Sequence, residues 1–154
     1  MAIVVTTTVG IVLMKKMWGK SSPWKTEPAF WAWVRGCLRR SAWNRHPVKL
    51  DVLKKARYKS PLGVNGKEVW ACRCAICGEE KRQAECQVDH IIPAGSIKSV
   101  EDITPFVTKL LFVLPEDLRV VCKWCNSVLA YAERYGLTFE KALDRKKEIA
   151  RRKK

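Results

Sequence analysis

The sequence predicts a small α+β domain stapled by a zinc site, with basic helices before it and a further helix after it. Three observations predict this. Two Cys-x2-Cys pairs, Cys74/Cys77 and Cys122/Cys125, stand 44 residues apart, counted as the residues between Cys77 and Cys122. Short apolar runs between them read as strands. On both sides the apolar residues recur at helical spacing, and 30 Lys and Arg against 15 acids give a formal charge of +15 over 154 residues. Length suits one domain or a small core with an extension. A hydrophobic share of 47% excludes a disordered polar chain. The longest apolar stretch, Ala2 to Met14, is too short for a membrane-spanning helix and lacks the flanks of a signal peptide. A soluble cytoplasmic protein with a polyanionic partner and no membrane is therefore expected. Seven cysteines in that compartment point to metal before disulfides.

The elements follow in chain order. Residues 1–25 read as an apolar, then basic arm. Its β-branched start suits a strand with no evident partner, and Met14 and Met17 are alternative starts, so this piece is expected as an extension. Residues 26–66 read as a basic helical extension. Thr26 suits an N-cap, followed by Glu27 and Pro28 in the first turn. That helix is expected to run to about Trp43, with Phe30, Trp33, Val34, Cys37 and Leu38 on its apolar face. Pro47 starts a second helix to about Lys59, with Leu50, Leu53 and Ala56 inward. Pro61, Gly63, Asn65 and Gly66 mark a linker. The zinc-bound domain spans 67–136. Within it Ser99–Phe112 reads as an inserted helix. Residues 137–154 form a helix from about Thr138 and a basic tail.

Residues 1–60 carry 13 Lys and Arg and two acids, Glu27 and Asp51. Such a charge repels itself unless phosphate neutralises it. Arg35, Arg39, Arg40, Arg45, Lys54, Lys55 and Arg57 are the candidate nucleic-acid contacts; a solvated basic surface is the plainer alternative. The tryptophans of the first helix are expected to pack rather than stack on bases, and Cys37 to be a buried thiol.

Four thiolates bind Zn²⁺ tetrahedrally and leave no open position, so Cys74, Cys77, Cys122 and Cys125 form a structural site. A redox dithiol is the alternative, but the strand–helix–strand context it needs is missing. Cys72 and Cys86 read as spare buried thiols, with a ligand swap at Cys72 left open. Between the pairs Asp89 and His90 close a short strand, and Asn126 follows the second pair. Taken singly, Asp89 suits a strand-end cap and Asn126 a helix N-cap.

Together, Cys-x2-Cys, VDHIIP and LRVVCKWCNSV resemble the HNH endonuclease pattern, and the resemblance to small bacteriophage HNH endonucleases extends over roughly residues 36–143. It implies the ββα-metal (His-Me finger) fold and metal-dependent hydrolysis of phosphodiester bonds in double-stranded DNA, by nicking or double-strand cleavage. Homing-type and packaging-linked nucleases both occur among such proteins, which would act in the host cytoplasm. The resemblance implies that His90 is the general base and that Asp89 binds a catalytic Mg²⁺ or Mn²⁺. Asn126 stands where the third motif position usually holds a metal-binding histidine, and an amide oxygen can also bind a hard cation. Asp117 stands at the middle asparagine, which orients the loop around the base. Arg119 and Lys123 are the nearest cations for the transition state. These departures keep a second expectation open: a zinc-ribbon nucleic-acid-binding protein without catalysis. An RNA-directed binder lacks the aromatic strand such readers use.

Overall fold

The computed structural model describes residues 3–7, 10–14 and 16–152. Two compact units emerge, each assembled from two stretches of chain: Met1–Arg45 with Ala94–Phe112, and His46–Pro93 with Val113–Lys154.

In the first unit the β-branched start does find a partner, namely itself: β1 (Ile3–Thr7) and β2 (Gly10–Met14) pair antiparallel. Helix α1 (Glu27–Cys37) begins where the sequence signals it, with the Thr26 hydroxyl accepting the Ala29 N–H and Pro28 in the first turn. The chain stays helical beyond Cys37, first in a wider π turn over Leu38–Ala42 and then in a 3₁₀ turn over Trp43–Arg45. Trp31 and Trp43 are the buried tryptophans here, rather than Trp33, which is 47% exposed. Trp33 still packs, against Trp24 at 4.8 Å between ring centres, and Trp24 meets Phe30 edge-on at 5.2 Å. Cys37 is only partly buried. The inserted helix, α3 (Ile103–Leu111), is shorter than Ser99–Phe112. The Asp102 carboxylate accepts the Lys98 and Ser99 N–H groups, and this turn occupies the residues expected as the first helical turn. Phe106, Leu110 and Ile97 are fully buried.

In the second unit α2 spans Pro47–Ala56 and stops short of Lys59. The reason is long-range: β3 (Tyr58–Ser60) pairs antiparallel with β4 (Val69–Arg73), which pairs with β5 (Glu80–Arg82). Leu50, expected inward, is 50% exposed. A second sheet is a hairpin of β6 (Cys86–His90) and β7 (Leu118–Cys122). Helix α4 (Lys123–Tyr135) starts directly from β7 and packs on both strands. Gly136 adopts the left-handed conformation at its end (φ 61°), which a side chain would resist. The chain then turns into α5 (Phe139–Arg151), capped by the Thr138 hydroxyl on the Lys141 N–H. Val128 and Ala132 of α4 close on Ala142 of α5, with Leu137, Phe139 and Leu143 around them. Lys153 and Lys154, the end of the expected basic tail, lie outside the described residues. No helix among the described residues is long and apolar enough to cross a membrane.

Candidate functional site

The four cysteines of the two Cys-x2-Cys pairs converge. Cys74 ends the β4 excursion and Cys77 lies in the turn after it. Cys122 closes β7, and Cys125 sits in the first turn of α4. Their sulfurs all lie within 4.8 Å of one another. Four sulfurs placed about 2.3 Å from a central ion would be about 3.8 Å apart, so the donor set fits a zinc ion in chemistry and in spacing.

The local backbone explains the fit. Gly78 takes a left-handed conformation (φ 71°), which lets its N–H return to the Cys74 carbonyl at 2.9 Å. The Cys122 N–H donates to Cys74 Sγ at 3.2 Å, and the Cys125 N–H to Cys122 Sγ at 3.4 Å. Burial opposes charge on Cys74. The N–H groups of Cys122, Cys77 and Ile76 outweigh it and bring this thiol down to about 6. Burial pushes Cys77 and Cys125 up, and the neighbouring Cys74 sulfur adds to the rise in both. One thiolate thus forms readily and resists the next, and a bound cation removes that conflict. Val121, Ile76 and Phe139 pack with Cys74, Cys122 and Cys125, while Cys77 is exposed.

Cys72 and Cys86 stay outside the cluster. Both are buried neighbours, and burial pushes the Cys72 thiol up and Cys86 up to about 12. Among the described residues, the four-cysteine cluster is the only grouping of three or more His, Cys, Asp or Glu side chains placed to hold a metal ion.

The candidate polar residues lie on the hairpin, in the turn before β7 and in the first turn of α4. Along β6, Gln87 and Asp89 share one face and Val88 and His90 the other, as strand alternation requires. Asp89 sits directly opposite Arg119 on β7. Its Oδ2 accepts from Arg119 Nε at 3.2 Å and Nη2 at 3.1 Å. Asn126 is not the N-cap of α4. That place belongs to Cys122, and Asn126 lies inside the first turn. Its Nδ2 donates to Gln87 Oε1 at 2.5 Å. Asp89 and Asn126 are therefore each engaged by a different neighbour. His90 ends β6, opposite Leu118. Asp117 steadies the chain next to it: its carboxylate accepts the Leu114 N–H at 2.8 Å, and its carbonyl accepts the Ile91 N–H at 2.9 Å.

The candidate basic contacts divide between the units. Arg35 donates to Ser96 Oγ and the Ile97 carbonyl. Arg39 donates to the Gly95 carbonyl and lies 5.6 Å from the centre of the Phe106 ring. These two arginines hold the Gly95–Ile97 loop of the first unit. Arg40 and Arg45 are exposed in the same unit. In the second unit Lys54 is exposed, and Lys55 pairs with Asp51 at 2.7 Å. Arg57 lies 4.3 Å and Lys59 4.4 Å from the centre of the Trp70 ring.

Sequence reading passed over Gln87, Lys59 and Trp70. Gln87 is two residues before Asp89 on a strand, so it shares that face, and this was the available signal. The pairing of Lys59 with Trp70 depends on the β3–β4 register, for which the sequence carried no sign.

No family model, curated protein or solved structure matches the chain.

Proposed function

We propose that this chain is a metal-dependent HNH-type DNA endonuclease of the ββα-metal fold, hydrolysing phosphodiester bonds in double-stranded DNA. One observation carries the reading. A hairpin delivers Asp89 and His90 as consecutive residues, its second strand runs straight into a helix bearing Asn126, and two zinc-type cysteines fasten that junction.

In this reading His90 takes a proton from water and aims the hydroxide at phosphorus. An imidazole can do this near neutral pH, and such general-base action is worth about 10²- to 10⁴-fold. Asp89 and Asn126 supply oxygen ligands of the kind Mg²⁺ or Mn²⁺ prefers. When bound there, the cation supplies charge neutralisation at the phosphate and at the departing 3′ oxygen. Gln87 orients Asn126: by taking its N–H, it leaves the amide oxygen as the group to present. Asp117 holds the loop beside His90 through two main-chain partners. The basic side chains bind the duplex backbone, with Lys54, Arg57 and Lys59 on the unit that carries the hairpin.

A second reading is a zinc-ribbon nucleic-acid-binding protein without catalysis. The ion pair between Asp89 and Arg119 favours it, because it occupies the carboxylate the chemistry needs. Supercoiled plasmid separates the two. Incubation with Mg²⁺ or Mn²⁺ is expected to give open-circle or linear product that EDTA abolishes. Tight, salt-sensitive binding with no product under any metal would establish the second reading instead.

A further inference from the structure

Asp89 and Arg119 form an ion pair unlike the others in the described residues. Arg119 is 24% exposed and Asp89 23%, whereas in every other pair each side chain is 37% exposed or more. The partners face each other across the hairpin ladder, so the backbone holds them in register. Both hydrogen bonds fall on a single carboxylate oxygen, Oδ2, and come from Nε and Nη2. A guanidinium has five N–H donors, so two are committed here and those of Nη1 take no part in the pair. Asn126, in the first turn of α4, is held by Gln87, which shares the face of the hairpin that carries Asp89.

We propose that Arg119 is a positioning residue that competes with a divalent cation for Asp89 and turns to the DNA phosphate when the cation takes its place. The proposal deepens the nuclease reading and rests on it. A cation approaching Asp89 meets a positive group about 3 Å from the oxygen it seeks, and partial burial leaves little water to screen the two. Metal entry must therefore displace the guanidinium or be weakened by it. Once displaced, Arg119 carries an unpaired fork beside a newly positive site, and a phosphate satisfies both, since the planar fork matches phosphate oxygens. Metal and DNA then favour one another, and each raises the other's affinity by the same factor. In a chain of charge +15 such a device withholds the cation until the polyanion arrives.

The test is Mn²⁺ binding to the full zinc-loaded chain, followed by loss of the free-ion electron paramagnetic resonance signal. Arg119→Ala is expected to bind Mn²⁺ about tenfold more tightly than the parent, within the usual 5- to 150-fold range of coupling between sites. Arg119→Lys keeps a charge at the position and is expected to stay nearer the parent. In a His90→Ala background, which keeps DNA intact, a short duplex is expected to tighten Mn²⁺ binding in the parent and to lose that effect when Arg119 is alanine. Circular dichroism and zinc content establish that each variant is folded, and Arg119→Gln replaces the alanine variant if that one is not. Mn²⁺ affinity in the folded variant equal to or weaker than the parent's overturns the proposal. If the parent still cleaves plasmid with metal and binds Mn²⁺ through Asp89, only the competition fails. If Asp89→Asn changes no titration and no metal yields cleavage, the nuclease reading fails with it.

Discussion

The cysteine cluster and the polar face of the β6–β7 hairpin lie in one unit, yet they are built in opposite ways. The cluster is closed. Its four sulfurs lie together, two of them accept main-chain N–H groups, and Val121 and Phe139 pack against its three buried cysteines. The hairpin face is partly exposed. Asp89 is held by Arg119 and Asn126 by Gln87, and a ligand can replace such partners. A structural centre is stable because its groups satisfy each other. The hairpin groups are instead held by single side-chain partners.

The largest expected effect falls on the closed region. Structural zinc contributes about 10–16 kcal/mol of apparent binding energy in zinc-finger peptides, which is more than many domains have in reserve. Cys125→Ser, or exhaustive chelation, is expected to abolish cooperative thermal melting of the second unit by circular dichroism. Unchanged melting would mean the cysteines staple nothing. Acid should act in the same direction. The Cys74 thiol is held down to about 6, below its unfolded value. The stability it contributes is complete above the unfolded value and is lost as pH falls through about 6. Zinc release to a chromophoric chelator is therefore expected to rise as pH drops through that range, because protons compete for the thiolates.

Changes on the hairpin side are expected to cost much less stability. Asp117→Ala removes the acceptor of the Leu114 N–H and should cost about 1 kcal/mol in urea unfolding, while Asp117→Asn retains the acceptor and should cost less. The smallest effects belong to single basic residues, and they sharpen the contrast between units. Lys54→Ala should lower the salt slope of DNA binding by about one, read by fluorescence anisotropy, with no loss of stability. Arg35→Ala should instead destabilise the first unit, because it cuts the bonds to Ser96 and Ile97.

The same contrast governs what the sequence made legible. Cys74, Cys77, Cys122 and Cys125 were readable because the ligand chemistry is written in the spacing of each pair, and the fold had only to bring two pairs together. Helix starts were readable for a similar reason, since Thr26 and Thr138 cap through hydroxyls acting three residues away. The end of α2 was not readable. Tyr58–Ser60 leave the helix to pair with Val69–Ala71, and that choice depends on a partner across a loop. Nor was the exposure of Leu50, because helical periodicity states which residues share a face and not what that face meets. Asp89, His90 and Asn126 could be singled out by position, but their partners could not. Arg119 reaches Asp89 only through the hairpin register, with the whole of α3 lying between them in sequence.

The proposed function requires His90 to perform chemistry beside the four-cysteine cluster. Single-turnover cleavage of a labelled duplex with saturating Mg²⁺, parent beside His90→Ala, tests it most directly. The expected result is a rate about 10²- to 10⁴-fold lower in the variant, with equal DNA affinity, zinc content and melting temperature. Equal rates from two equally folded proteins would contradict it.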